Sequence, residues 1–213
     1  MNVDIGQLVV VFLVLIFSLT VHESAHAWTA AWLGDLTAKR LGRITLNPVA
    51  HVDPIGTIVL PFLAFTTGAP VIGWAKPVPV NPANLKKQRQ YFLYISAAGP
   101  VSNIALAVVA SVALRVLPVS PISVAGGLEF PAWNVAATLF ELNLLLAVFN
   151  FVPIPPLDGA NVLAGVLPEN LASIYDRVVR PWGFVILYAL LLTGGLSAII
   201  SSPYLFLSRL LIG

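Results

Sequence analysis

Two histidines and a glutamate near the start of the chain have a zinc-binding spacing. His22, Glu23 and His26 form an HExxH pattern, in which the histidines bind zinc from one face of a helix and the glutamate acts as general base. The histidines are four positions apart, which places them about 6 Å apart along a helix axis. The pattern therefore indicates hydrolytic zinc chemistry.

The residues around this motif are those of a membrane segment. The motif lies in an apolar stretch, residues 8–33, that is long enough to cross a hydrocarbon core of about 30 Å. Polar groups in a membrane span cost several kcal/mol unless they are paired or bind something. A polar cluster that only packs helices together is the alternative, but two histidines and a glutamate are a costly way to do so. We therefore favour a metal site within the bilayer.

A catalytic zinc site needs a third protein ligand and an open position for water. The chain has no cysteine, so histidine and carboxylate are the available ligands. Four residues remain as candidates for this position: His51, Asp53, Glu141 and Asp158.

The surroundings of these candidates differ. His51 and Asp53 belong to a polar loop, residues 47–54, which is typical of a turn and a helix cap. Glu141 is expected in the outer half of its helix, away from His22. Asp158 follows a proline-rich helix end, where it either caps the next helix or offers its carboxylate to the zinc ion.

A polar element interrupts a third apolar stretch. Gly99, Pro100 and Asn103 lie within residues 91–117, and Asn103 is expected at the depth of His22 on an oppositely directed helix. Two roles are open for Asn103. It either packs helices with a hydrogen bond, or it serves the site by holding the catalytic loop or polarising the scissile carbonyl.

The composition is that of a membrane protein. The 213 residues are 58% hydrophobic and 9% charged, with a mean hydropathy of +0.92, whereas soluble domains carry about 25% charged residues. The length suits five or six spans without an additional soluble domain. The pI of 9.1 comes from a net charge of only +2, so we expect no nucleic-acid partner.

Apolar stretches predict the topology. Five of them can enter the membrane, and a shorter tail, 203–213, is either a half-span or part of a last helix interrupted at Pro203. The five are 8–33, 55–72, 91–117, 134–153 and 181–200.

The second stretch, 55–72, is short and rich in glycine and proline, and we predict that it re-enters on the side it came from. The basic residues of three loops then face the cytoplasm, as the positive-inside rule requires. This places the N-terminus outside, makes 91–117 and 181–200 run outward and 134–153 inward, and leaves 118–133 external with Glu129 as its only charge.

Prolines keep residues 73–82 extended. This segment is either a short edge strand beside the zinc ion, which could hold an unwound substrate by strand addition, or a loop in the membrane interface anchored by Trp74.

Together these motifs resemble the site-2 protease family of intramembrane zinc metalloproteases. The resemblance covers roughly residues 8–167, and stretches 47–56 and 73–82 also resemble its short bacterial and archaeal members. It rests on residues 22–26, on Gly99-Pro100-x-x-Asn103, and on Asn150-x-x-Pro153 leading to Asp158-Gly159.

The resemblance implies a specific site. His22, His26 and Asp158 would bind one zinc ion and Glu23 would activate the water, while Asn103 and Asn150 would support the site or the substrate. The three-helix core would comprise 8–33, 91–117 and 134–158. We expect no PDZ domain and no C-terminal nucleotide-sensing domain, so substrate selection through such domains is not expected.

The sequence thus predicts an all-α polytopic membrane protein with about five or six transmembrane or re-entrant segments and a small extended or β-like loop. Residues 1–213 would form one protease domain, with a core at 8–167 and C-terminal helices at 181–213. It would cut transmembrane segments of membrane proteins near the cytoplasmic side of a prokaryotic cytoplasmic membrane. The alternatives are a transmembrane metal-ion transporter and a non-catalytic zinc-binding scaffold.

Overall fold

The computed structural model describes residues 5–68, 73–119, 122–124 and 128–213, which are mostly helical. One turn of π-helix (Pro54–Val59) and three 3₁₀ turns lie between the regular elements. The α-helices are α1 (Ile5–Trp32), α2 (Thr37–Arg40), α3 (Leu60–Thr67), α4 (Gln88–Val116), α5 (Ala132–Asn150), α6 (Asp158–Val166), α7 (Glu169–Val178), α8 (Gly183–Thr193) and α9 (Gly195–Ile212). Two short strands, β1 (Ile122–Val124) and β2 (Leu128–Phe130), form an antiparallel hairpin.

Four helices in the described part of the chain are long and apolar enough to cross a membrane. They are α1, α4, α5 and α9. The all-helical membrane fold is therefore confirmed, whereas the expected count of five or six segments is not.

The predicted span at 181–200 is wrong in its bounds. Helix α8 ends at Thr193 and Gly194 takes a left-handed conformation, with φ of 76°. Helix α9 then continues through Pro203 to Ile212. A left-handed glycine ends a helix, whereas a proline inside a membrane helix costs hydrogen bonding that neighbouring groups can restore. The chain consequently breaks at the glycine and not at the proline.

Helices α1, α4 and α5 form the core around the site. Buried polar contacts fix their directions: His22 on α1 meets Asn103 on α4, and four residues later His26 meets Ile95, so α4 runs antiparallel to α1. Asn143 on α5 contacts both Ser18 and Asn103. The antiparallel pairing of α1 and α4 is the arrangement that a re-entrant 55–72 requires.

Small residues let these helices approach closely. Ala107 and Ala110 on α4 are buried against Phe140 and Leu144 on α5. In membranes, small residues at helix interfaces favour tight packing. The C-terminal helices join this core through a second buried cluster, which contains Val148, Val152, Leu157, Leu187, Leu196 and Ile200.

The predicted re-entrant stretch forms a short two-part helix. The π-helical turn leads directly into α3, and Gly68 ends α3 in a left-handed conformation with φ of 68°. The last residues of the predicted stretch, 69–72, lie outside the described part of the chain. The apolar helical portion, Pro54–Ala64, is too short to count among the candidate spans.

Cysteine labelling tests this topology directly, because the native chain has no cysteine. We expect Lys39→Cys and Lys86→Cys in intact membrane vesicles to react with an impermeant maleimide from the same face. Glu129→Cys, in the hairpin, should react from the opposite face. Labelling of positions 39 and 86 from opposite faces would make 55–72 a true span.

The extended segment, residues 73–81, adopts no regular structure, and the short strands lie instead at β1 and β2. Prolines at 77 and 79 remove two backbone donors, which prevents a regular ladder with a neighbouring strand. The β-like alternative for this segment is therefore corrected to an irregular extended chain.

Candidate metal centre

Three potential metal ligands converge where α1 meets the start of α6. The Nε2 atoms of His22 and His26 lie 3.1 Å and 3.4 Å from Oδ2 of Asp158. Donor atoms of the three residues all lie within 4.8 Å of one another, and both histidines are buried. Residues separated by 136 positions in the chain therefore form one cluster.

The turn after α5 delivers Asp158 to this cluster. Asp158 is the first residue of α6, and Leu157 occupies the cap position without a side-chain hydrogen bond. A side chain at Gly159 would collide with the backbone carbonyls of Phe151 and Val152, so the turn can close only over a glycine. The carboxylate of Asp158 thus faces the histidines instead of capping its own helix.

The cluster has the donors and the dimensions of a metal site. Ligands placed tetrahedrally at zinc bond lengths of about 2.0–2.2 Å are separated by about 3.3–3.5 Å, close to the two histidine–aspartate separations found here. Two imidazole nitrogens and a carboxylate oxygen suit zinc. The described residues therefore fit a metal ion with three protein ligands.

Gly99 on α4 leaves the space that this cluster needs. A Cβ atom at this position would lie 2.5 Å from Nε2 of both His22 and His26. The histidine rings cannot easily retreat, because their Nδ1 atoms contact Asn103 and the carbonyl of Ile95.

We therefore expect Gly99→Ala to weaken metal binding by at least about tenfold, which is typical of changes to groups that orient metal ligands. Bound zinc is measured on the purified protein by elemental analysis across a chelator titration. Val101→Ala on the same helix, at an exposed side chain, is the control. Unchanged metal affinity in Gly99→Ala would contradict the close packing of α4 against the site.

A buried hydrogen-bond chain fixes the orientation of His22. The His22 Nδ1–H donates to Oδ1 of Asn103 at 2.5 Å, and Nδ2 of Asn103 donates to Oδ1 of Asn143 at 2.8 Å. The Asn143 amide nitrogen in turn donates to the carbonyl of Leu139 and to Ser18 Oγ, each at 2.8 Å.

The Leu139 carbonyl, the last acceptor, determines which groups donate and which accept along this series of hydrogen bonds. A backbone carbonyl can only accept, so the Asn143 amide must present its nitrogen to Leu139 and its oxygen to Asn103. Asn103 then presents its own oxygen to His22, so the proton of the neutral ring is on Nδ1 and Nε2 of His22 can bind a metal ion. In His26 the Nδ1–H donates to the Ile95 carbonyl at 2.7 Å, so Nε2 of this ring can also bind the ion.

These contacts locate the two predicted supporting residues. Asn103 is fully buried with its amide bonded on both sides, so it orients His22 and does not line the metal cavity. Asn150 lines that cavity, and its amide donates to Leu146 one turn earlier on α5.

The other candidate ligands lie outside the cluster. Asp53 caps the π-helical turn by accepting from the backbone N–H groups of Ile55 and Gly56. His51 is buried with Nε2 2.9 Å from the Thr45 carbonyl. Glu141 lines a different cavity.

Glu23 lies beside the metal cluster without joining it. Its Oε2 atom accepts a hydrogen bond of 3.0 Å from the backbone N–H of Val78, in the extended segment. The carboxylate lines a cavity of about 700 Å³ together with His22, His26 and Asp158. This cavity leaves space for a bound molecule next to the metal cluster.

Two charged residues that the sequence did not single out hold the extended segment in place. The guanidinium of Arg43 is buried and donates to the carbonyls of Ala50, Lys76 and Pro77. Asp35 accepts from the backbone N–H of Asn81 at 2.7 Å. The segment is thus held in its middle by Arg43 and at its C-terminal end by Asp35.

Asp35 remains charged in this role. Burial favours its neutral form, but hydrogen bonds from Thr37 and Asn84 and from the backbone of Asn81 outweigh burial and hold the pKa of Asp35 below its usual range. The stabilisation from these bonds is present above the ordinary carboxyl pKa and is lost as the pH falls through the lowered one.

We expect Arg43→Lys to keep the metal but to loosen the extended segment. A lysine cannot reproduce the planar fork that binds several carbonyls, and a hydrogen bond to a charged group contributes about 1.5–3 kcal/mol. Zinc content and amide hydrogen exchange of the extended segment are measured together, and the exchange should be faster by about tenfold or more. The exposed Arg40→Lys serves as control, and equal exchange rates in both variants would show that the segment needs no such clamp.

Comparisons with known proteins identify several relatives. The chain is 36% identical over 179 residues to a Bacillus subtilis protein named "Putative zinc metalloprotease YwhC", covering 84% of this chain and 78% of that protein. It is 31% identical over 198 residues to the protein named Rip2 of Mycolicibacterium smegmatis, covering 91% of this chain and 70% of the relative. A Mycobacterium tuberculosis Rip2 is 34% identical over 170 residues, which are 79% of this chain and 62% of that protein. Both Rip2 proteins bear the same zinc metalloprotease description.

No protein-family model matches the chain. No solved structure matches it either.

Proposed function

Because the chain belongs to the zinc metalloprotease family of YwhC and Rip2, we propose that it is a site-2-type endopeptidase that hydrolyses peptide bonds within transmembrane segments of other membrane proteins. One observation carries this proposal. The His22, His26 and Asp158 cluster and Glu23 lie at a helix long and apolar enough to span the membrane, beside a cavity large enough for a peptide.

Each residue then has a defined task. When bound, a zinc ion would acidify a water molecule and polarise the scissile carbonyl. His22, His26 and Asp158 would hold the ion, and Asn103 keeps the His22 ring in its binding orientation. Glu23 accepts the proton of the attacking water and delivers it to the leaving amine.

The extended segment supports binding of an unwound substrate. Alternate N–H groups of this segment, on Trp74, Lys76 and Val78, donate to the carbonyls of Gly56 and His51 and to the Glu23 carboxylate. Within the described residues, the peptide groups of Ala75 make no such bond, and Ala75 lines the metal cavity. The peptide groups of Ala75 can therefore bond to the backbone of a substrate whose helix has opened locally.

A metal-ion transporter is supported less well. Transport requires ligands on a path to both faces of the membrane, whereas the group of three metal-binding side chains in the described chain occupies a single place. A non-catalytic scaffold would not need Glu23 beside the cluster at an open cavity. The candidate spans and the bacterial relatives favour the prokaryotic cytoplasmic membrane, and the basic loops favour a cleavage site near its cytoplasmic side.

The proposal is tested with purified protein in lipid vesicles and a panel of transmembrane peptides. We expect zinc-dependent cleavage inside the membrane segment, faster for peptides with a glycine or proline near the cut because these open the helix more easily. Cleavage products are located by mass spectrometry. Absence of cleavage with zinc flux across the vesicle membrane would favour the transporter instead.

A further inference from the structure

Glu141 is a carboxylate in the middle of a membrane-spanning helix. It lies on α5, one of the four candidate spans, with nine residues of the helix on either side. An ionisable side chain at this depth is costly and marks a functional site unless a partner compensates it. The site described above does not include Glu141.

The described part of the chain supplies no such partner. No described residue forms a hydrogen bond or an ion pair with the Glu141 carboxylate, and the side chain is exposed. It lines a cavity of about 530 Å³ whose polar members include Thr138, Ser197, Ser201, Tyr204 and Gln7, and the Gln7 amide donates to Thr138 at 3.4 Å. Among the described residues that line this cavity there is no lysine or arginine, so the carboxylate is open to a cationic or amide-bearing side chain of a bound molecule.

This cavity leads towards the metal site. It shares Leu145, Leu191 and Leu196 with a cavity of about 310 Å³. The latter shares Leu19, Leu146, Phe149, Gly73 and Trp74 with the cavity of about 700 Å³ that contains the metal cluster. An apolar path therefore follows α5 from Glu141 to Asn150, over about 13 Å.

We propose that this path holds the membrane segment of the substrate and that Glu141 is a specificity subsite for a hydrogen-bond-donating side chain in that segment. The α5 residues that line the metal cavity begin at Leu146, so the donor lies about five to nine residues from the scissile bond if the substrate is helical there. This inference rests on the proposed proteolytic function.

The charge of Glu141 and its depth in the membrane favour a polypeptide as the molecule that occupies this cavity. A carboxylate binds lysine and arginine best, and glutamine or asparagine also donates to it. Cationic lipid headgroups lie at the membrane surface, whereas Glu141 lies about 13 Å along α5 from either end of the helix. A transmembrane peptide carries polar side chains at that depth and also reaches the metal site.

The test uses pairs of transmembrane peptides that are identical except at one position, which is leucine in one peptide and glutamine in the other. In successive pairs this position moves from five to nine residues away from the scissile bond, on each side of it. We expect zinc-loaded wild-type protein to cleave the best glutamine peptide with about tenfold higher kcat/KM than its leucine partner. In Glu141→Leu this ratio should fall to about one. The ratio is internal to each variant, so partial loss of folded protein cancels.

Glu169→Gln removes a carboxylate on α7, outside the spans, and should keep the wild-type ratio. A ratio near one in the wild type, or an unchanged ratio in Glu141→Leu, would overturn the subsite while leaving the protease proposal intact.

A second measurement keeps the subsite testable without turnover. Ser197→Cys places a thiol in the Glu141 cavity of an otherwise cysteine-free chain, and peptides with a cysteine beside the variable position can form a disulfide with it. We expect severalfold more cross-linking with the glutamine peptide, and loss of this preference when Glu141→Leu is added. If no peptide is cleaved, the protease proposal fails. The cross-linking preference for the glutamine peptide then decides by itself whether the Glu141 subsite exists.

Discussion

Replacement of Glu23 by glutamine is expected to abolish proteolysis while leaving zinc bound. The glutamine oxygen can still accept the Val78 N–H, so the extended segment should stay in place. The variant cannot take a proton from water, and the loss of a general base lowers the rate by at least about a hundredfold.

This prediction is tested by measuring kcat on a transmembrane peptide and zinc content on the same preparation. Activity should disappear with zinc stoichiometry unchanged. A parallel loss of zinc would show that Glu23 is a ligand and would require a different base. Retained activity with bound zinc would remove Glu23 from the mechanism.

Asp158→Ala is expected to lose both metal and activity. The two imidazoles would remain as a pair of neutral ligands without the carboxylate, and two histidines alone make a weak and incomplete zinc site. We expect zinc to fall to background after dialysis and cleavage to fall below detection. Addition of excess zinc should restore little activity.

The matched control is Asp53→Asn, which changes the other aspartate considered from sequence. Asp53 accepts two backbone N–H groups at the start of the π-helical turn, and asparagine retains an acceptor oxygen for them. This variant should keep its zinc. Loss of zinc in Asp53→Asn together with retention in Asp158→Ala would mean that the ligand assignment is wrong.

The parts of the fold that depend on local sequence were predictable. The long apolar runs around His22, Asn103 and Glu141 indicated three of the four candidate spans, because length and hydropathy decide whether a helix can cross a bilayer. The equal depth of His22 and Asn103 followed from counting along two oppositely directed helices, and the structure shows a hydrogen bond between them.

Long-range contacts were less accessible. Arg43 counted only as one of several basic loop residues, and nothing in its local sequence distinguishes a buried guanidinium from a solvated one. Its three carbonyl acceptors become neighbours only after the loops fold. The break at Gly194 was missed because glycine is common in membrane helices, and only its backbone conformation reveals the turn.

The long chain separation within the metal cluster has a consequence for biosynthesis. His22 and Asp158 are separated by 136 residues, and ribosomes add about 5–20 residues per second. Helix α1 therefore exists for roughly 7–27 s before the ribosome supplies its carboxylate partner. During that interval its two histidines lack the Asp158 carboxylate, so a pause in translation before residue 158 would prolong the time for which the metal cluster is incomplete.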